Sequence, residues 1–148
     1  MPELLNFVLC EKAIIAQDHT ISLITLFQGI TVAPEFEIPD APPGTPLALQ
    51  LSWTAYTAWR KQESDENKSF EQRLSVQMPN NGKLVLGLLE FVINARVHTT
   101  LVPVLAWPIV GVGEYEVILE VREKSKGARF KRVASSPVNV HLGNLSPE

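Results

Sequence analysis

The chain has one cysteine, three histidines and no long uninterrupted apolar run. Each shortage removes a class of explanation. A single thiol, Cys10, cannot close an internal disulfide, so packing must hold the fold, and a lone cysteine suits a reducing compartment. The opening Met1-Pro2-Glu3-Leu4-Leu5-Asn6 lacks the basic and apolar stretches of a secretory leader. The longest apolar stretch, Leu101 to Val112, is interrupted by Pro103, Pro108 and Gly111. It falls short of the ~20 residues that a membrane helix needs. The expected location is therefore cytoplasmic, with no membrane partner. A formal charge of −3 offers no basic footprint, so no nucleic-acid partner is expected either.

What is present is ordinary for a folded protein: 148 residues, 45% hydrophobic and 20% charged. A chain of this size buries roughly 68–70% of the surface its unfolded form exposes, which predicts one domain over residues 1–148. Its strongest pattern is alternation. Leu47, Leu49, Leu51 and Trp53 alternate with Ala48, Gln50, Ser52 and Thr54. Tyr115, Val117, Leu119 and Val121 alternate with Glu114, Glu116, Glu120 and Arg122, with Ile118 the exception. A side-chain period of two puts one set on a buried face and the other toward water.

The rest of the chain fits the same reading. Leu4 to Ile15 and Thr20 to Gln28 form a hairpin about the turn Gln17-Asp18-His19. Gly29 permits a bend before Ile30 to Val32. Pro34 to Pro46 holds five prolines and reads as a surface crossover. Arg60 to Lys68 is a mixed-charge loop, Leu74 to Met78 a strand, and Pro79-Asn80-Asn81-Gly82 a turn. Leu84 to Val97 is ambiguous: Val85, Leu88, Leu89 and Val92 match a helical stripe, whereas Leu89, Phe91, Ile93, Ala95 and Val97 match a strand. Gly87 and the neighbouring β segments decide for strand. Leu101 to Val110, with its two prolines, reads as one edge strand or two short ones. Phe130 to Leu142 is the final strand, and the tail from Gly143 is expected to fray. The fold class is all-β: a two-sheet antiparallel β-sandwich of about eight strands, immunoglobulin-like, with a closed β-barrel as the alternative.

Reactive chemistry is sparse. His19, His98 and His141 are not spaced as metal ligands, and Cys10 has no partner cysteine. An adjacent Glu11 opposes thiol ionisation. Ser135-Ser136 lacks the glycine elbow of a nucleophilic serine. Glu114, Glu116 and Glu120 share one outward face, and Glu63, Asp65 and Glu66 are interleaved with lysines and lack a calcium-loop glycine. No catalytic residue, metal site or cofactor is expected.

The aromatics are the better candidates. Trp53 reads as core. Tyr56 falls on the opposite face, Trp59 ends its strand near the charged loop, and Trp107 precedes a proline on the predicted edge strand. An aromatic beside proline on an edge can anchor a partner or cover the end of a core. Trp59, Trp107 and Tyr56 are therefore the candidate binding residues.

Three segments carry a resemblance: Phe7-Val8-Leu9-Cys10-Glu11-Lys12-Ala13, Ile21-Ser22-Leu23-Ile24-Thr25-Leu26-Phe27, and Gly113-Glu114-Tyr115-Glu116-Val117. Together they resemble a family of small uncharacterised bacterial β-sandwich proteins, a domain of unknown function of about this length. Members carry a glycine shortly before the hairpin's final aromatic, where this chain has Thr25-Leu26. The resemblance implies a fold and brings no catalytic residue. The functional expectation is a non-enzymatic binding or assembly module acting through a sheet edge or loop surface, with a protein partner or a homodimer. The alternative is a sandwich that binds a small ligand, carbohydrate or lipid, on its aromatics.

Overall fold

The alternating segments become nine β-strands in a computed structural model that describes residues 1–32 and 45–143. In chain order they are β1 (Glu3–Ile15), β2 (Ile21–Leu26), β3 (Gly29–Val32), β4 (Leu47–Arg60), β5 (Ser69–Gln77), β6 (Lys83–Val92), β7 (Val97–Ile109), β8 (Gly113–Glu123) and β9 (Lys131–Leu142). A short 3-10 turn, Glu63–Asp65, lies within the charged loop. No helix among the described residues is long and apolar enough to cross a membrane. The proline-rich connection falls outside the described residues up to position 44, as does the tail from position 144.

The strands form two sheets, a β-sandwich. The first has the order β2-β1-β4-β7 and the second the order β3-β9-β8-β5-β6. Every pairing is antiparallel except β3 with β9, which is parallel. In this exception the chain leaves the first sheet after β2 and enters the second beside the last strand. The ambiguous segment splits, with β6 ending at Val92 and a corner at Ile93–Arg96 leading into β7. β7 is a single edge strand, longer than the sequence implies.

Inward residues fill the space between the sheets. Phe27, Trp53, Trp107 and Tyr115 form a chain of aromatic contacts 5.5–5.6 Å between ring centres. Trp59, Phe70, Phe91, Ile93, Leu119 and Val121 form a second cluster. Tyr115 also ties the β7–β8 corner. Its hydroxyl donates to the Gly111 carbonyl (2.7 Å) and accepts from the Val110 amide (2.9 Å). Gly113 has φ 139°, and a side chain there would press against Pro79. Gly113-Glu114-Tyr115 thus has a mechanical role: backbone freedom at the first position and a buried clamp at the third.

Thr25 carries the one conformation on β2 that its side chain resists. Its φ is 56°, in the left-handed region, which costs a β-branched residue about 1–2 kcal/mol. Thr25→Gly is therefore expected to stabilise the protein by about 1 kcal/mol after the entropic cost of glycine, raising Tm by roughly 2–4 °C in thermal melts.

Candidate functional site

The structure does not bring the three candidate aromatics together. Trp59 and Trp107 are both fully buried, which corrects their reading as surface anchors. An edge strand exposes its backbone, not every side chain. Trp107 sits opposite Leu49 and points into the sandwich against Trp53 and Tyr115. Trp59 shares the inward parity of Trp53, Ala55 and Thr57, and stacks on Phe91 at 5.6 Å. Tyr56 lies half-buried on the opposite, outer face, between Val8 of β1 and Leu101 of β7 in the pairing.

The polar groups are largely engaged with each other. Cys10 is buried, its thiol donates to the Thr54 carbonyl at 3.6 Å, and burial pushes its pKa up, away from the reactive thiolate. His141 is exposed and bonded to Thr31 (2.9 Å), and His19 occupies the first turn with φ 66°. On the outer face of the second sheet, Glu120 is gripped by Arg73 and Lys83, each at 2.9 Å. The Arg73 hydrogen bond, foremost among several causes, holds the Glu120 carboxyl below its ordinary pKa. Glu71 pairs with Arg122, and the guanidinium carbons of Arg73 and Arg122 each lie 4.1 Å from the centre of the Phe130 ring. In the charged loop, Asp65 is buried, accepts from the Gln62 amide (2.8 Å) and faces the Met1 ammonium (2.9 Å). No three His, Cys, Asp or Glu side chains converge among the described residues.

His98 is half-buried, with its ring parallel to Phe91 at 5.4 Å. Burial lowers its pKa below 6.5. Folding therefore favours the neutral ring. The stability this contributes is fully present above the ordinary histidine value and is lost as pH falls through the lower folded one. His98→Phe, which preserves the stack, is expected to shrink the drop in Tm between about pH 7.5 and about pH 5.5. Parallel melts of both proteins at the two pH values check this.

One feature among the described residues that is not internally satisfied is a seam. β6 ends the second sheet and β7 ends the first, and the corner between them sets both on one flank of the sandwich. The two strands come close where Gly87 faces Val102. To one side lies an apolar cleft of about 310 Å³, walled by Leu84–Leu86 of β6 and Val104–Ala106 of β7 and closed off by Pro46, Leu47 and Pro108. To the other lies a smaller cleft of about 150 Å³ reaching Gln72 and Leu74. Beside the seam stand Leu105, 73% exposed, Leu88, 58%, and Val85, 53%. A cluster of large apolar side chains left in water around two open strand edges is the arrangement that partners cover.

Sequence reasoning did not single out the residues of this seam. The available signal was the segment that matched two periodicities. Leu86 is an extra residue in β6, so pairing with β5 shifts between Leu74 and Ser75. Beyond the bulge the faces exchange parity. Val85, Leu88 and Val92 then share the outer face at spacings of three and four, which mimics a helical stripe. No protein-family model matches this chain, and no curated protein matches it.

Proposed function

We infer that the chain is a non-enzymatic binding or assembly module, cytoplasmic, that works by presenting the edge of its second sheet to an extended segment of another protein chain. The observation that supports this most is β6. It is a ten-residue edge strand with no proline, apolar on its outer face at Val85, Leu88 and Val92, and bordered by an apolar cleft. An incoming strand gains affinity from backbone hydrogen bonds and specificity from side chains seated alternately on the two faces. The other edges suit this less. β7 is interrupted by Pro103 and Pro108, β2 by the left-handed Thr25, and β3 spans four residues.

The apolar lining of the cleft supports a second reading, a lipid-binding sandwich. The carbohydrate form of that reading draws no support, because all three tryptophans are buried.

Selection of a displayed random-peptide library against the immobilised protein tests the edge reading. The expected result is enrichment of extended peptides with alternating apolar residues whose binding is lost in Val85→Lys. No enrichment, or enrichment indifferent to Val85→Lys, overturns it. Saturable binding of a fluorescent fatty acid in place of peptides favours the lipid reading.

A further inference from the structure

We propose that the segment received by β6 is β6 of a second copy of this chain, paired antiparallel about a two-fold axis that passes between Leu86 and Gly87. This rests on the edge-binding reading and names its partner.

Antiparallel self-pairing places each residue opposite a partner on the same face of the sheet. The bulge at Leu86 divides β6 into two stretches of opposite parity. The outer face carries Lys83 and Val85 before the bulge, and Leu88, Glu90 and Val92 after it. The inner face carries Leu84 before it and Gly87, Leu89 and Phe91 after it. With the axis between Leu86 and Gly87, Lys83 stands opposite Glu90, Val85 opposite Leu88 and Leu84 opposite Leu89. Every pair then joins like faces. Sliding the register by one residue sets outer against inner across the bulge. Sliding it by two leaves the bulge residues or Gly87 facing the wrong side. Among registers that pair the strand across its bulge, this one alone matches the faces throughout, from Lys83 to Glu90.

That register is also the one that matches chemistry. It sets a lysine against a glutamate at both ends, because the two-fold axis repeats the pair, and an exposed valine against an exposed leucine inside them. Lys83 and Glu90 already hold Glu120 and Lys124 within one chain, so the crossing charges extend existing ion pairs rather than strand isolated ions. The inner-face leucines of the incoming strand would overhang the seam and its exposed Leu105. A single surface patch that complements itself is what a two-fold dimer requires.

Sedimentation velocity across a concentration series reads the association directly. Register is read by mixing equal amounts of Val85→Cys and Leu88→Cys proteins under mild oxidation, since native Cys10 is buried. The expected result is a reversible monomer–dimer equilibrium and a mixed 85–88 disulfide in excess over both self-linked products. Glu90→Lys is expected to raise the dimer dissociation constant by at least about tenfold, and the exchange Lys83→Glu with Glu90→Lys to recover most of the loss. A monomer at every concentration, or disulfides formed without preference, overturns the proposal. If the protein stays monomeric while displayed peptides still bind in a Val85-dependent way, only the second copy falls. If neither binds, the edge reading falls with it.

Discussion

Trp107→Ala is expected to cost about 4 kcal/mol of folding stability and to lower Tm by roughly 8–16 °C. Trp107 stands in the middle of the aromatic chain, touching Phe27, Trp53 and Tyr115, and has no exposed surface. Removing the indole leaves a cavity among rings that are themselves anchored, Trp53 to the Ala106 carbonyl (3.1 Å) and Tyr115 to the β7–β8 corner. The walls therefore collapse poorly, which keeps the cost above the low end of the range for such truncations. Trp107→Phe separates packing from hydrogen bonding. The Trp107 indole N–H has no partner among the described residues, so phenylalanine loses volume but relieves an unsatisfied donor. Its cost is expected to be under half that of alanine in urea denaturation. Trp59→Phe reverses the order of intuition. It is expected to cost more than Trp107→Phe, because the Trp59 N–H is bonded to Thr57 and Gln72.

These tryptophans also mark how far the sequence could be read. Alternation in Leu47–Thr54 and Glu114–Arg122 located β4 and β8 because each has one face in the core, and a one-sided burial pattern is a sequence pattern. Ile118, the exception in β8, is buried on the outer face, opposite Ser75 and Ser135 in the neighbouring strands. Glu120 is largely covered there as well, under Arg73 and Lys83. Neither was legible, because which outer positions are covered depends on side chains arriving from β5, β6 and β9. Trp107 was misplaced for a related reason. Pro103 and Pro108 identify an edge correctly, yet being at an edge is a property of backbone pairing, whereas a side chain's fate is set by parity. The β6 surface was hidden by its own bulge, since one added residue turns an outer row of period two into spacings of three and four. The parallel pairing of β3 with β9 joins residues more than a hundred positions apart and leaves no local trace.

Gln72→Leu is the second change expected to have a large effect, about 2–3 kcal/mol, although it keeps the side chain's bulk and replaces a polar group with an apolar one. Gln72 reaches inward from β5 and is 2% exposed. Its carbonyl oxygen lies within reach of three donors from the opposite sheet: the hydroxyls of Thr57 (3.3 Å) and Thr100 (3.2 Å) and the indole of Trp59 (3.2 Å). Thr57 is also bonded to Thr100, so the hydroxyls share their hydrogens. With leucine at position 72, Trp59 can still donate to Thr57 at 3.1 Å and one threonine to the other. One hydroxyl hydrogen is then left buried with no acceptor, and that single desolvated donor, more than the lost bonds, sets the cost. Removing the donors as well should restore most of the loss. Gln72→Leu combined with Thr57→Val, Thr100→Val and Trp59→Phe is expected to lie within about 1 kcal/mol of the parent in urea denaturation, far above the sum of the single changes. Recovery on that scale means the polar layer is tolerated for stability and kept for alignment, since β4, β7 and β5 can satisfy it in only one register. A quadruple variant as unstable as the sum of its parts would instead make each of these bonds an independent contributor to the core.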